Sequence, residues 1–428
     1  MQKKIRTMTK DFIKILIAEY QNIVTKIDFV ARDYCFEENL NYVLTGLRRA
    51  GKSHLMYQQI RHLLDSGHKA EEILYFNFED DRIDSLTLDD LDLIKTCYEE
   101  MYDCRPIFFL DEIQLIDRWE RFARRLADQK YRVYITGSNA KMLSSEIATT
   151  LGGRYMIREV FPFSFAEFLY SEHIDTSKPN VFYAQHKQIR KSFETYFRQG
   201  GLPEVMQVQN KRSWLSNLFN GIFFGDLITR YQIRNDFALR VLVRKLAESV
   251  KQPSSYTRLA NVVSAVGKKV SVDTVIDYIN YMEESWLIFP LENICAKLAE
   301  KESNRKYYLI DNGLLNLFLT DPNTALLENM VAIRLRQCYG KEVYFYASQI
   351  EVDFYIPEVS MAIQVSYSIK DIETKERELD ALLKISGHLN MQQLLVITKD
   401  DEEEVEWKGI STHIVPIWKW LLQDCNFV

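Results

Sequence analysis

The chain has 428 residues, enough for about three domains at roughly 150 residues each. Apolar residues make up 47% and charged residues 27%, a mix typical of globular proteins that excludes a disordered, collagen-like or low-complexity chain. The formal net charge of -6 excludes a global positive field, so any contact with nucleic acid or anionic lipid would have to be local.

The sequence also argues against a membrane-spanning protein and against a disulfide-rich or zinc-binding one. Apolar runs are far shorter than the roughly 18 residues of a membrane helix, so we expect a cytoplasmic protein without a membrane partner. The six cysteines contain no CxxC pair, so we expect reduced, mostly buried thiols rather than a disulfide framework or a zinc site.

The first part of the chain alternates helix and strand patterns. The N-terminal twenty residues read as an amphipathic helix. After it, β-type runs at 42–45, 73–78, 107–110 and 133–136 alternate with helical patterns after residue 51, at 88–101 and at 119–128. Such alternation predicts an α/β domain with a parallel sheet covered by helices on both faces.

Beyond about residue 161 the pattern changes twice. Helical periodicity dominates to about 267, and the order of helix 259–266, helix 272–282 and strands at 287–289 and 307–310 is typical of a winged helix. From about 326 the chain returns to mixed α and β, with strands at 343–346, 352–356, 362–365 and 394–398, and the acidic run 400–404 reads as a solvated loop. We therefore predict domains at 1–165, 166–322 and 323–428.

The segment from Gly46 to Ser53, GLRRAGKS, fits the pattern GxxxxGK[ST] between a predicted strand and a predicted helix. Glycines let backbone N–H groups curl around an anion, and the helix N-terminus adds a favourable dipole. Lys52 is predicted to reach the β- and γ-phosphates and Ser53 to place its hydroxyl on Mg2+. The predicted nucleotide contacts are Gly46, Arg48, Arg49, Ala50, Gly51, Lys52, Ser53 and His54. For Arg48 and Arg49, phosphate contact and a solvated loop position remain equal alternatives.

An apolar strand pattern ends in two acids, Asp111 and Glu112. Beside a phosphate-binding loop, an Asp at this strand end holds Mg2+, directly or through water. The adjacent Glu can orient and deprotonate an attacking water if it lies within hydrogen-bond reach. We therefore predict Asp111 as a metal ligand and Glu112 as a general base.

Further polar residues follow the next strand. Ser138 and Asn139 fall where ligands of open α/β sheets bind and could sense the γ-phosphate, although helix or turn capping is nearly as well supported for Asn139. Arg154 follows two glycines and is suited to stabilise charge on a transferring phosphoryl group, in its own subunit or in a neighbour. A surface salt bridge is the equal alternative for Arg154.

In chain order, GLRRAGKS, FFLDEIQ, TGSNA, LGGRY with FPFSFAEF, GGLPEV, LIDNGLL, LEN and EVDF resemble the motifs of a large family of prokaryotic ATP-binding proteins. Members of that family join an AAA-type ATPase domain to a C-terminal region of poorly known function. The resemblance runs from about residue 41 to the end. It implies a P-loop NTPase core that uses ATP and Mg2+, a winged-helix-like segment and a small domain similar to restriction-endonuclease-type nucleases.

Such nuclease domains use acids and a lysine around Mg2+. The resemblance implies Glu328, Asp353 and Gln364 as the corresponding residues, but Ser366 stands where the lysine is expected. Because that charge polarises the scissile phosphate or activates water, we expect a vestigial site, unless Lys370 or Lys375 reaches back.

The charges of the winged-helix region also disfavour DNA binding. Its predicted second helix, 271–286, contains four acidic residues and no Lys or Arg, so it would repel the phosphate backbone. A basic group precedes it and is either a phosphate-tracking stripe or, more simply, a solvated helix face. Its members are Arg230, Arg234, Arg240, Arg244 and Lys245.

The leading hypothesis is a Mg2+-dependent ATPase that couples nucleotide state to the arrangement of its C-terminal domains. A second hypothesis is an ATP-gated protein-interaction switch with negligible turnover, and a third is an ATP-dependent nuclease or DNA-remodelling enzyme. A homo-oligomer is required only if Arg154 acts on a neighbouring subunit. The sequence identifies ATP as a partner but no specific protein or nucleic acid.

Overall fold

The computed structural model describes residues 9–83, 86–138, 149–174, 176 and 185–425. The chain divides into two compact units, Met1–Phe161 and Pro162–Val428. Within the described residues, no helix combines the length and the apolar character needed to cross a bilayer.

The first unit is an α/β unit in which helices separate successive strands. Its elements are α1 (Lys10–Val24), β1 (Asn41–Thr45), α2 (Lys52–Asp65), β2 (Ile73–Asn77), α3 (Leu88–Met101), β3 (Ile107–Asp111), α4 (Trp119–Asp128), β4 (Val133–Gly137) and β5 (Tyr155–Glu159). The five strands form one parallel sheet in the order β2-β3-β4-β1-β5. The predicted parallel sheet is therefore confirmed.

The order of the strands sets the position of the candidate site. In β1 to β4, nearly every residue is buried, as expected of strands covered on both faces. Register pairs Thr45 at the end of β1 with Gly137 at the end of β4, and Asn77 with Asp111. Because the strands are parallel, the phosphate-binding loop and the predicted acids meet at the carboxyl edge of the sheet.

Strand β5 was not predicted from the sequence. It pairs parallel to β1 at the edge of the sheet, and its central residues Met156, Ile157 and Arg158 are exposed. An edge strand with polar and exposed positions lacks the continuous apolar run that identifies the buried strands.

The second unit begins with helices. Its elements to residue 315 are α5 (Phe165–Ser171), α6 (His186–Gln199), α7 (Lys211–Gly221), a π-helical stretch (Ile222–Thr229), α8 (Asp236–Glu248), β6 (Ser254–Ser255), α9 (Tyr256–Val266), α10 (Val272–Glu284), β7 (Ile288–Asn293), α11 (Leu298–Ser303), β8 (Asn304–Leu309) and α12 (Asn312–Leu315). The predicted order of two helices followed by strands is present as α9, α10, β7 and β8, and the two strands pair antiparallel. Whether this group is a winged helix stays a prediction.

The remainder of the unit is mixed α and β. Its elements are α13 (Asn323–Tyr339), β9 (Tyr344–Ala347), β10 (Glu351–Ile356), β11 (Met361–Val365), α14 (Ile372–His388), β12 (Gln393–Thr398), β13 (Glu403–Trp407), β14 (Ile410–Pro416) and α15 (Ile417–Trp420). Residues of β10, β11, β12, β14 and α14 form a buried apolar core, among them Val352, Ala362, Leu382, Val396 and Ile414. The two tryptophans of α15, Trp418 and Trp420, are buried.

One sheet runs through most of this unit. Its strand order is β13-β14-β12-β11-β10-β9-β7-β8-β6. The pairing of β7 with β9 is parallel and joins strands on either side of residue 322. The three-domain boundaries stay a prediction. The acidic run at 400–404 is only partly a loop, because β13 begins at Glu403 and pairs with β14.

The expectation of reduced cysteines throughout is wrong. Cys338, near the end of α13, forms a disulfide with Cys425, 87 residues later. Tyr339 Oη donates to the carbonyl of Cys425 (2.7 Å), which holds the terminal segment against α13. No local spacing pattern could reveal a pair so far apart in sequence. Of the free cysteines, Cys97 is buried, Cys104 is half-buried, and Cys35 and Cys295 are exposed.

Candidate functional site

The phosphate-binding loop connects β1 directly to α2, and two glycines permit its path. At Gly46, a Cβ atom would lie 2.1 Å from the carbonyl oxygen of Val160, so any side chain would displace backbone. Gly51 has φ of 95° and caps α2, a left-handed conformation that glycine adopts without steric cost. The loop therefore ends where the first N–H groups of α2 are available to an anion.

Lys52 is the first residue of α2 and is almost completely buried. Its Nζ donates to the carbonyl oxygens of Gly46 and Leu47, each at 3.1 Å, and lies 3.9 Å from Glu112 Oε1. The ammonium group is thus held against the phosphate-binding loop, close to Glu112, the predicted general base.

Asp111 lies at the centre of a buried hydrogen-bond network. Ser53 Oγ donates to Asp111 Oδ1 at 3.1 Å, Thr136 donates to the same oxygen, and Tyr75 Oη donates to Oδ2 at 2.6 Å. Burial raises the pKa of Asp111, and the neighbouring Glu112 carboxylate raises it further, while the three hydroxyl donors oppose the shift. The structure therefore brings together Ser53 and Asp111, the two predicted metal ligands. Hydroxyl and carboxylate oxygens are the donors that Mg2+ prefers, so these residues fit that ion.

Glu112 is fixed by its backbone as well as by its side chain. Its φ is 57°, in the left-handed region, and its N–H donates to Thr136 Oγ1 at 2.9 Å. Its Oε2 accepts from the N–H and Oγ of Ser138, at 3.3 and 3.2 Å, and from Gln114 Nε2. A non-glycine residue in this conformation is costly and is often found at functional sites. Ser138 therefore contacts the predicted base, whereas Asn139 lies outside the described residues.

The other predicted loop contacts are more exposed. Arg48 Nη2 pairs with Glu79 Oε1 at 3.0 Å on the surface. Arg49 is exposed with φ of 65°, and exposed His54 packs its ring edge-on against Tyr57, with centroids 5.4 Å apart. The structure leaves the phosphate roles of these three residues as predictions.

Ala50 is buried and is held by a residue that sequence reasoning missed. Arg32, 8% exposed, donates from Nη1 to the carbonyl of Ala50 at 3.1 Å and from Nη2 to the carbonyl of Phe161 at 3.0 Å. One buried guanidinium thus joins the phosphate-binding loop to the segment after β5. A single Arg in the segment before β1 has no regular spacing relative to Ala50 or Phe161, so no sequence pattern predicts these contacts.

Arg154 lies at the opposite edge of the sheet from the loop. It directly precedes β5, and its carbonyl accepts from Asn41 at the start of β1, while the loop follows the end of β1. A five-residue strand spans about 16 Å, too far for this side chain to contact a phosphate in the loop of its own chain. Its Nε instead donates to Asp128 Oδ1 at 2.6 Å. Within its own subunit Arg154 therefore forms a surface salt bridge, one of its two predicted alternatives, and a role on a neighbouring subunit stays a prediction.

The residues implied for a nuclease site do lie together in the second unit. Asp353 is on β10, Gln364 on β11 and Glu328 on α13. Gln364 Oε1 accepts from the N–H of Asp353 at 2.9 Å, and Asp353 Oδ2 accepts from the N–H of Val365 at 2.9 Å. The acids are thus placed by the pairing of two strands.

A lysine that sequence reasoning missed lies among these acids. Lys306, on β8, has no exposed surface, and its Nζ lies 3.7 Å from Glu328 Oε1, 3.2 Å from Glu351 Oε1 and 3.5 Å from Asp353 Oδ1. Tyr308 Oη donates to Glu328 Oε1 at 2.8 Å. Alternating residues of β8 therefore face the acids, a signal available from strand periodicity but separated from them by 20 or more positions.

The two lysines expected to compensate for Ser366 lie elsewhere. Lys370 is 86% exposed, with its Nζ 4.0 Å from Asp401, and Lys375 Nζ pairs with Glu403 at 2.6 Å. The suggestion that either reaches back to the acids is therefore corrected.

The basic residues at and before α8, which the sequence grouped together, differ in their contacts and in their exposure. Arg230 pairs with Asp226 at 3.0 Å, and the Arg240 guanidinium lies 4.6 Å from the ring centroid of Phe223. Arg234, Arg240 and Arg244 are exposed, and Lys245 is half-buried. Both interpretations of this group remain open.

Comparison with known proteins identifies the class of the first unit. The model of an AAA domain matches residues 38–169, and a domain of unknown function, DUF8612, matches residues 190–324. Among solved structures, the Walker-type ATPase PABY2304 of Pyrococcus abyssi has a TM-score of 0.42 and 12% identity, over 66% of this chain and 91% of that one. That likeness is too remote to support an argument about function.

Two relatives match along most of their length. Uncharacterized protein MJ1544 of Methanocaldococcus jannaschii is 33% identical over 396 residues, 89% of this chain and 88% of the relative. An uncharacterized protein of Haemophilus influenzae is 30% identical over 393 residues, 89% of this chain and 94% of the relative. The chain therefore belongs to the family of MJ1544 and its Haemophilus influenzae relative, and its first unit carries an AAA-type, ATP-binding P-loop domain.

Proposed function

We propose that the protein is a Mg2+-dependent ATPase whose nucleotide state is coupled to its second unit. The observation that carries this proposal is the 3.1 Å contact between Ser53 Oγ at the loop and Asp111 Oδ1 at the end of β3. The hydroxyl of Ser53 on α2 and the carboxylate of Asp111 on β3 are therefore close enough to coordinate the same Mg2+ ion beside the phosphate-binding loop.

Each residue then has a distinct task. Lys52 exchanges the carbonyls of Gly46 and Leu47 for phosphate oxygens, so its charge remains compensated when nucleotide binds. Mg2+, when bound, neutralises phosphate charge, and Ser53 and Asp111 would hold it. Ser138 donates two hydrogen bonds to Glu112 and orients it to accept a proton from the attacking water.

The first test is ATP hydrolysis by single variants. Lys52→Ala should abolish Mg2+-dependent phosphate release, and Glu112→Gln should bind ATP as wild type but hydrolyse it about 100-fold or more slowly, the usual contribution of a general base. Asp92→Asn is a matched control, because this carboxylate pairs with Arg125 on the surface of the same unit. Equal phosphate release by wild type and Lys52→Ala would refute the ATPase proposal.

Arg154 is proposed to act, if at all, on a neighbouring subunit. Because the loop of its own chain is out of reach, Arg154 can serve catalysis only at the loop of another copy of the chain. Mixing Arg154→Ala with Lys52→Ala protein should then restore activity, because the second variant supplies Arg154 to the intact loop of the first. Failure to restore activity, with ATPase independent of protein concentration, would assign Arg154 to its salt bridge with Asp128.

A second candidate function is an ATP-gated interaction protein with negligible turnover. It is favoured by the hydrogen bonds that the site residues make within the protein, because these bonds must be exchanged before the residues can act on ATP. Lys52 contacts loop carbonyls, and Asp111 accepts from three hydroxyl donors. Sustained turnover without any partner would refute it. Tight ATP binding without turnover, reversed by addition of a partner protein, would support it.

We propose a winged-helix assignment for α9, α10, β7 and β8, but not as a DNA reader. Helix α10 carries Asp273, Asp277, Glu283 and Glu284, a charge that disfavours the phosphate backbone. Stimulation of ATPase activity by duplex DNA would contradict this assignment.

A further inference from the structure

The carboxylates of Glu328, Glu351 and Asp353, together with the ammonium group of Lys306, are called here the Lys306 cluster. The resemblance to nucleases implies a Mg2+ ion at Glu328, Asp353 and Gln364, and the first two of these belong to the cluster. In the protein, one oxygen of each carboxylate lies within 4 Å of Lys306 Nζ, and this lysine has no exposed surface. The place where the three carboxylates converge is therefore filled by a cation that belongs to the chain itself.

Two carboxylate oxygens of the cluster also accept hydrogen bonds from the protein. Asp353 Oδ2 accepts from the N–H of Val365, and Glu328 Oε1 accepts from Tyr308 Oη as well as facing Lys306. A Mg2+ ion needs oxygen ligands at about 2.0–2.1 Å in near-octahedral geometry. With Lys306 in place, such an ion would contact a buried ammonium group of like charge, so these residues do not fit a divalent ion beside the lysine.

The ammonium group of Lys306 is close to the carboxylates but makes no well-directed hydrogen bond to them. Among the described residues, none accepts a hydrogen bond of good geometry from Lys306 Nζ, although Glu351 Oε1 lies only 3.2 Å away. The three carboxylates within 4 Å compensate the positive charge of the Lys306 ammonium group. A buried cation held by Coulomb attraction rather than by directed hydrogen bonds occupies the position of a metal ion among hard oxygen ligands.

We propose that Lys306 is the resident cation of a carboxylate site that would otherwise bind a divalent metal ion, and that it closes this site in the native protein. The lysine also ties β8 to α13 and β10, because its carboxylate partners lie on those two elements. The inference concerns the second unit and is independent of the proposed ATPase. It also accounts for a nuclease-like set of acids without an accessible lysine, since a wholly buried ammonium group cannot contact a scissile phosphate.

Direct Mn2+ titration without nucleotide, followed by the electron paramagnetic resonance of free Mn2+, tests the proposal. Lys306→Met keeps the length of the side chain and removes its charge. This variant should bind one Mn2+ ion more than wild type. Its affinity for that ion should be at least about tenfold higher than the affinity of wild type at the Lys306 cluster, because affinity rises with carboxylate charge. Adding Asp353→Asn should abolish the gain. The P-loop contributes equally to all three proteins and cancels in the comparison.

A matched control is Lys399→Met. Lys399 is also buried, but among the residues that the structure describes its ion pair within 4 Å is with Glu194 alone, at 2.6 Å. Its replacement should not create a Mn2+ site, since a single exposed carboxylate cannot supply a coordination shell. A similar gain in Lys399→Met would show that loss of any buried lysine attracts Mn2+ and would overturn the proposal.

Two results would overturn the proposal directly. Wild-type Mn2+ binding that Asp353→Asn abolishes would show that the site accepts metal beside the lysine, and a folded Lys306→Met without added Mn2+ binding would show that no latent site exists. If Lys306→Met folds only when Mn2+ is present, the proposal is supported. If it does not fold at all, Lys306→Met with Glu328→Gln removes one charge of each sign, and Mn2+ binding or its absence in that protein decides the question.

Discussion

Thr136 joins the two acids of the candidate site and was not predicted as a site residue. It is fully buried on β4, its Oγ1 accepts from the N–H of Glu112 at 2.9 Å, and it donates to Asp111 Oδ1. Replacing Thr136 with Val keeps the shape of the side chain but removes both hydrogen bonds. A hydrogen bond to a charged group contributes about 1.5–3 kcal/mol, and an unsatisfied buried N–H costs about 1–3 kcal/mol, so we expect a loss of about 2.5–6 kcal/mol in the free energy of unfolding.

Thr136→Val should also lower the rate of ATP turnover in the protein that remains folded. The Thr136 hydroxyl opposes the upward shift in the pKa of Asp111, so its removal raises that pKa further and weakens the carboxylate as a metal ligand. Release of the Glu112 N–H also frees a strained backbone that aims the predicted base. We expect ATP turnover at saturating Mg2+ and ATP to fall about 10- to 100-fold.

Thr136→Ser provides the matched comparison. Serine retains the hydroxyl and loses one methyl group, which costs about 1 kcal/mol, so its turnover should stay close to that of wild type. Urea unfolding measures stability, and steady-state phosphate release measures turnover. A valine variant as stable and active as wild type, or a serine variant worse than the valine one, would refute the bridging role of Thr136.

Three further predictions concern residues outside the acid pair. Arg32→Met should weaken ATP affinity about tenfold in equilibrium titration, because the phosphate-binding loop loses its buried anchor at the Ala50 carbonyl, and unchanged affinity would contradict this role. Burial raises the pKa of Glu283 to about 7, above its unfolded value of about 4.3, so the folded state binds more protons and stability falls as pH rises through this window. Glu283→Gln should therefore gain about 1–3 kcal/mol relative to wild type between pH 5 and pH 8, and parallel stability profiles would contradict the assignment. Cys425→Ser should destabilise the second unit by up to about 4 kcal/mol, because Cys338 and Cys425 close a loop of 87 residues, and identical unfolding with and without reductant would contradict this.

Local patterns were sufficient for most of the first unit. Helices α3 and α4 begin and end at the predicted residues, because apolar periodicity and flanking polar residues define them. The predicted parallel sheet was sufficient to place the loop at Gly46 and the acids Asp111 and Glu112 at the same edge, since parallel strands align their carboxyl ends.

Contacts between distant segments were not predictable in the same way. Arg32, Thr136 and Lys306 each act through a partner that neighbouring residues do not reveal, and the Cys338–Cys425 disulfide joins positions 87 residues apart. The sequence left two alternatives for Arg154, because the strand that positions it was not predicted. Its glycine-rich context suggested a mobile catalytic arginine, whereas the unpredicted strand β5 fixes it at the amino edge of the sheet.

The central claim is that Ser53 and Asp111 hold a magnesium ion against a nucleotide bound by the loop and Lys52. The most direct test is the affinity for ATP, measured by calorimetry in Mg2+ and in EDTA, for wild type, Ser53→Ala and Asp111→Asn. Wild type should bind ATP more tightly with Mg2+, and both variants should lose most of that dependence because each lacks one of the two oxygen ligands. Wild-type affinity that is the same with and without Mg2+, or full Mg2+ dependence in both variants, would contradict the claim.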